Sequence, residues 1–252
     1  MDVTSLRRDE QMSWFQRLFR FNQYNRDLWI REQASKLQAG SLVLDVGAGA
    51  GPYRPLFEHC EYHAHDFAKE PGTQGKYTKL DFVSDILNIP VSDESYDMVL
   101  CTEVLEHVPE PVKALFEFSR ILKPHGKLIV TAPLGAHLHQ QPYHFYGGFT
   151  PFWYEKFLKE AGFVVDSISA NKGFFSFYSQ ESLRFHALLA SPGLLRGGIH
   201  RRCLHLLVWM MTLPYCRILL PSCSGLLDQS QLENIATVGY HVVATKRFTS
   251  SL

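Results

Sequence analysis

The stretch that most limits what this chain can fold into is Leu42–Phe57, Leu-Val-Leu-Asp-Val-Gly-Ala-Gly-Ala-Gly-Pro-Tyr-Arg-Pro-Leu-Phe. Leu42, Val43, Leu44 and Val46 make the near-continuous apolar run of a buried parallel strand. Gly47, Gly49 and Gly51 let the chain turn sharply and bring its backbone against a ligand. The spacing predicts a helix beginning over Tyr53 to Glu58, so the loop has the strand-to-helix form that binds nucleotides, with free helix N–H groups facing a polar ligand. The loop is Gly-x-Gly-x-Gly, not Gly-x-Gly-x-x-Gly, and Asp45 stands two residues before its first glycine. A carboxylate there suits a cationic ligand group and repels a pyrophosphate.

A chain of 252 residues buries one large core, and nothing in it has the composition of an interdomain linker. Lys plus Arg equals Asp plus Glu at 25 each, so no global field attracts nucleic acid, and none is expected as a partner. The five cysteines contain no Cys-x-x-Cys, which favours reduced thiols in a cytoplasmic compartment over disulfides or zinc. Met1 to Glu10 lacks an apolar signal-peptide core.

Residues 11–39 carry Trp14, Phe15, Leu18, Phe19, Leu28, Ile30 and Leu37 at helical spacing and are expected to cap the domain. Glu61–Phe67 is expected as the second strand. It ends at Asp66, about 20 residues past the glycine loop, where an acid accepts hydrogen bonds from ribose hydroxyls. Lys69–Lys79 is expected as a loop. A strand follows over Asp97–Thr102, with Thr102 and Glu103 at its carboxyl end, where open α/β sheets hold ligands. Helices are expected over Pro111–Leu122 and Pro151–Ala161, and strands over Phe163–Ala170 and Ala236–Lys246.

The glycine loop with Asp45 resembles motif I of the class I S-adenosylmethionine (SAM) methyltransferases. The segment Leu80–Val108 extends the likeness: Asp85-Ile86, Ile89-Pro90, an acid, Tyr96-Asp97 and then a strand follow that family's third and fourth strands. Lys123-Pro-His-Gly resembles its Leu-Lys-Pro-Gly-Gly turn, with His125 in place of the first glycine. The resemblance covers residues 40–170. It implies a Rossmann-like, three-layer α/β sandwich with a seven-stranded, mostly parallel sheet. The expected divisions are an N-terminal helical cap over 1–40, a SAM-binding core over 41–170, a helical insertion over 171–235, and a last strand with tail over 236–252. It also implies that Asp45, Gly47, Ala48, Gly49, Asp66, Asp85, Ile86, Thr102 and Glu103 hold the cofactor. Asp85 then accepts from the adenine amino group, and Ile86 packs on the ring. The expected activity is methyl transfer from SAM to a small-molecule or glycan acceptor at a hydroxyl oxygen, leaving S-adenosylhomocysteine. An NAD-dependent oxidoreductase shares the strand, glycine loop and acid, but the glycine spacing and Asp85-Ile86 argue against it. A non-catalytic partner subunit is the third reading, disfavoured because the loop glycines and acids are all present.

A hydroxyl acceptor needs a group to take its proton. His144 and His139 are the catalytic candidates, because a neutral imidazole accepts a proton near working pH. They lie in a stretch rich in His and aromatic residues, whose His-x-x-Pro-x-His-Phe-Tyr pattern resembles a substrate-side loop of bacterial glycan and secondary-metabolite methyltransferases. Tyr143, Tyr146 and Phe149 are candidates to stack on the acceptor. On a helix, Glu103, Glu106 and His107 would share one face. With His144 or His139 they resemble the metal set of plant-type small-RNA 2′-O-methyltransferases. The same Leu-Glu-His-Val segment also resembles metal-free ubiquinone-pathway enzymes, and that account, without a metal, is the expectation.

In the insertion, His205, Pro214 and Arg217 interrupt the apolar runs of 201–220 before they reach the roughly 20 residues that span a bilayer. A lid or a dimer interface is the leading reading. Peripheral contact with the inner membrane face through 201–220 is the alternative, with Arg196, Arg201 and Arg202 beside Trp209, Met210 and Met211.

Overall fold

The computed structural model describes residues 19–68, 77–191, 198–228 and 236–248. Most of the loop expected at 69–79, the first part of the expected N-terminal helix, and Arg196 lie outside the described residues.

Helix α1 (Phe21–Ser35) precedes strand β1 (Leu42–Val46), which is followed by β2 (Glu61–Asp66), the short β3 (Phe82–Val83) and β4 (Tyr96–Thr102). Helix α2 (Pro111–Ile121) leads into β5 (Leu122–Pro133), and α3 (Pro151–Glu160) into β6 (Phe163–Ala170). The last strand is β7 (Gly239–Lys246). The seven strands form one sheet in the order β3-β2-β1-β4-β5-β7-β6. β7 runs antiparallel to both neighbours, and the other pairings are parallel.

Alternation along β1 explains the layers. Leu44 and Val46 join one core with Leu115, Phe118, Tyr154 and Leu158 of α2 and α3, while Val43 joins Ile30 and Ala34 of α1 on the other side. These side chains are buried on both faces, so the strands are apolar runs capped by polar residues at their carboxyl ends.

Two local expectations change. The helix expected over Tyr53 to Glu58 is one 3-10 turn, Arg54–Phe57. Pro55 lies in its first turn, and β2 starts four residues after its end, so no helix N-terminus faces the glycine loop. His125 takes the left-handed conformation (φ 64°) that glycine favours in the family's turn.

The chain divides into two compact units, one built on Gln23–Asn171 and closed by β7, the other on Lys172–Val238. The second unit holds α4 (Phe174–Leu189), α5 (Ile199–Pro214) and α6 (Leu220–Leu227). α5 and α6 are joined through a π-turn at Tyr215–Leu219, so Pro214 does not end the helix. Widening that turn absorbs the hydrogen bond the proline cannot make. The interruption expected at Pro214 is therefore absent: Ile199–Leu227 is a 29-residue helix, long and apolar enough to cross a membrane.

Candidate functional site

The carboxyl ends of β1, β2 and β4 and the segments that follow them gather most of the expected cofactor residues. Gly47 and Gly49 have φ of 75° and 52°. A Cβ on Gly47 would fall 2.3 Å from Val104 Cγ2, so only glycine passes there. A Cβ on Gly49 meets nothing within 4 Å, which leaves open space beside the loop for a ligand. The Gly47 and Ala48 N–H groups donate to the His65 carbonyl at 2.9 and 3.0 Å, tying the loop to β2.

Asp45 points to the α1 side of the sheet and is 1% exposed. Tyr62 Oη donates to its carboxylate. Burial pushes this carboxyl up to about 7, helped by the charge of Asp66 and opposed by the Tyr62 hydrogen bond. A cationic ligand group would relieve that cost, which fits the role expected for Asp45. Asp66 ends β2 and accepts from Gly49 N–H at 3.0 Å and Ala68 N–H at 2.9 Å. Asp85 is exposed and accepts from Leu87 N–H at 2.9 Å, with Ile86 packed against the core beside it. The open space at Gly49, the two carboxylates beside it and the half-exposed Ile86 fit a ligand with a cationic end, hydroxyls and an apolar ring.

Glu103 follows Thr102 in the left-handed region (φ 54°), so Glu103, Glu106 and His107 do not share a helix face as expected. Only Leu105–His107 forms a 3-10 turn. Glu103 is engaged by Arg26 Nη1 at 3.2 Å and Thr131 Oγ1 at 2.9 Å. Arg26 comes from α1 and also reaches Tyr53 Oη, which donates to Asp27. Sequence reasoning missed this network. The signal was an Arg-Asp pair within the apolar periodicity of α1, where a charged pair needs buried partners.

Glu106 is buried, with its carboxyl pushed up to about 8 by burial and then by the charge of Glu103. Its backbone carbonyl accepts from Phe145 and Tyr146 N–H at 2.9 and 3.2 Å, pinning the loop after β5 to the turn after β4. That pinning brings His139 and His144 to His107, with ring centroids 4.8 Å (His107–His139), 4.4 Å (His139–His144) and 5.7 Å (His107–His144) apart. The four-residue set Glu103, Glu106, His107 and His144 is not what assembles; the three histidines do. Tyr143 and Tyr146 lie on the same loop, the Tyr146 hydroxyl donating to the Pro109 carbonyl. Phe149, expected to face the acceptor, is 2% exposed and packs against Trp153 and Tyr154 in the core.

Residues 44–130 match the family described as a methyltransferase domain. This stretch, about a third of the chain, is similar to methyltransferase domains. A ubiquinone biosynthesis O-methyltransferase of Aliivibrio fischeri is 32% identical over 108 residues, 39% of this chain and 46% of that protein. A demethylmenaquinone methyltransferase of Renibacterium salmoninarum is 38% identical over 96 residues, 36% of this chain and 40% of that protein. The chain thus spans less than half the length of these curated relatives. The crystal structure of the [4+2]-cyclase SpnF superposes with a TM-score of 0.53 at 17% identity, over 90% of this chain and 83% of that one, and shows the shared methyltransferase fold.

Proposed function

We propose that the chain is a SAM-dependent methyltransferase acting on a hydroxyl of a small-molecule or glycan acceptor. The observation that carries this is the open loop at Gly49 between Asp45 and Asp66, on the sheet ends that also hold the histidine loop. SAM supplies an activated methyl group on a sulfonium. The protein's part is to hold Asp45 against the cofactor's cationic end, Asp66 at its ribose, and Asp85 with Ile86 at its adenine. His139 and His144 stand on the loop expected to meet the acceptor, where its proton is taken up. Bound SAM would supply the methyl group and leave as S-adenosylhomocysteine, while the chain's own residues would hold the acceptor oxygen in place. Holding the oxygen in line with the methyl carbon is the larger contribution, since effective molarity offsets roughly 7–11 kcal/mol in favourable cases. The test is calorimetric titration of metal-stripped protein with S-adenosylhomocysteine, with NAD as control. Binding that is lost in Asp45→Ala while the variant stays folded supports the reading; binding of NAD alone overturns it.

Contact with a membrane surface is a second part of the reading, supported by the inverted packing of the helical unit. Ser176, Ser179, Ser182, His186, Cys216 and Ser224 are buried, whereas Leu204 and Met211 are 62% and 68% exposed. Small and polar residues between helices with apolar residues outside are the arrangement helices adopt in lipid. Ile199–Leu227 carries no Asp or Glu, and the exposed Arg201 and Arg202 near its start complement anionic headgroups. An acceptor carried in or on the membrane fits this placement. Co-flotation with anionic vesicles supports it; a dimer that stays at the bottom of the gradient overturns it.

A further inference from the structure

His107, His139 and His144 each offer one ring nitrogen, and the three nitrogens lie within 4.8 Å of one another. They come from two separate segments, the turn after β4 and the loop after β5, held together by the two hydrogen bonds to the Glu106 carbonyl. The rings meet at 84°, 59° and 56°, one pair edge to face and two tilted, and none of them stacks.

The outer hydrogen bonds fix the tautomers of two of the rings. His107 Nδ1 lies 2.5 Å from the Tyr143 carbonyl, and His139 Nδ1 lies 2.8 Å from the His137 carbonyl. A carbonyl only accepts, so each Nδ1 is the protonated nitrogen, and each Nε2 keeps its lone pair. Backbone carbonyls orient metal-ligating histidines in this way. His144 Nδ1 is buried without a hydrogen-bond partner. A buried ring nitrogen in that position needs an explanation, and a bound cation provides one. Glu106 lies beside the cluster: its Oε1 is 3.8 Å from His107 Nε2, and its buried Oε2 has no partner.

Three imidazoles without a thiolate suit zinc and its neighbours in the first transition row, not magnesium or calcium. Bonds of about 2.0–2.1 Å in a tetrahedron set ligand nitrogens about 3.4 Å apart, so the rings must close by small side-chain rotations. Three protein ligands leave a fourth position open, as catalytic sites do.

We propose that His107, His139 and His144 form a binding site for a divalent cation of the zinc class, whose open position takes the acceptor's oxygen. The site itself is argued from this chain's residues alone; the role at the acceptor oxygen rests on the methyltransferase reading. With the cation bound, His139 and His144 act as ligands in place of proton acceptors, and a hydroxyl at the open position gives up its proton to water more readily than a free one, by the lowered pKa of a cation-bound oxygen.

The test is titration of tag-free, chelator-stripped protein with Co²⁺, followed by its visible d–d absorption, with Zn²⁺ as competitor. The expected result is one Co²⁺ per chain with the absorption of a tetrahedral or five-coordinate nitrogen site, displaced by Zn²⁺. His139→Ala and His144→Ala are each expected to weaken binding by about 10- to 100-fold or more, taking as a floor the loss typical of outer-shell partners. His137→Ala, at the exposed neighbouring imidazole, is expected to bind as the parent does. Absence of saturable binding in the parent protein overturns the proposal, as does equal binding by the parent and the His139 and His144 variants. S-adenosylhomocysteine titration of each preparation checks that its core is folded and keeps the two readings apart. Cofactor binding without Co²⁺ binding sinks the cation site alone. Co²⁺ binding without cofactor binding sinks the methyltransferase reading and leaves the site standing.

Discussion

In the sheet-built unit Val43, Leu44, Val99, Leu100 and Leu115 are fully covered, whereas in the helical unit Leu204, Leu206, Met210 and Met211 each leave half or more of their surface open. The two regions draw on the same residue types and dispose of them in opposite ways. Alternation along β1 and helical periodicity in α2 give the first unit apolar faces that meet each other. Among the described residues, Ile199–Leu227 leaves most of its large apolar side chains exposed, Leu204 and Met211 among them. Burial in the first unit is complete within the described residues, whereas the second presents the apolar surface on which the proposed membrane contact rests.

The largest expected effect sets the two units side by side. Leu100→Ala is expected to cost about 2–5 kcal/mol of stability by denaturant unfolding, because it opens a cavity in a covered site. The double change Leu207→Ser with Met211→Ser is expected to shift stability in water by less than about 1 kcal/mol while abolishing vesicle flotation. Equal losses in the two experiments would break the contrast.

Asp45 sharpens it from the other side, as a polar group in the covered unit. Burial raises its folded pKa to about 7, above the ordinary carboxylate value of 3.8, so the folded state keeps a proton that the unfolded chain releases. This contribution therefore erodes as pH rises from about 4 through 7. Asp45→Asn is expected to remove that slope and to raise stability at pH 8 by roughly 1–3 kcal/mol, less than the full shift would give after relaxation. The same change is expected to weaken S-adenosylhomocysteine binding at least about tenfold by calorimetry, the loss of a single charge-assisted contact. In the parent protein, affinity for that ligand is expected to rise with pH up to about 7 and then level off, as Asp45 ionises to meet a cationic group. The smallest effect belongs to a turn: His125→Gly relieves the left-handed backbone and is expected to gain up to about 1 kcal/mol, offset in part by the freer unfolded chain.

Much of this was legible in the residues. Phe163–Ala170 forms the expected strand, and β4 and α2 match their expected spans within a residue. Periodicity and turn chemistry fix such elements because burial of one face decides them. The misses fall where local backbone geometry decides. The left-handed Glu103 broke a helix-face argument that assumed regular spacing. Pro214 looked like a stop because the π-turn that accommodates it has no sequence signature. Phe149 sits among loop aromatics of the same type as Tyr143 and Tyr146, and only packing distinguishes the one turned inward. The three-histidine cluster needed the Glu106 carbonyl to join two distant segments, and backbone hydrogen bonds of that kind leave no mark on residue spacing.

Ala170 pairs with Tyr240 across adjacent antiparallel strands, and the Asn171 N–H donates to the Gly239 carbonyl at 2.9 Å. The helical unit therefore leaves and rejoins the sheet at neighbouring positions. Such a junction allows the residues between those positions to change in length or composition without disturbing the strand pairing on either side of it.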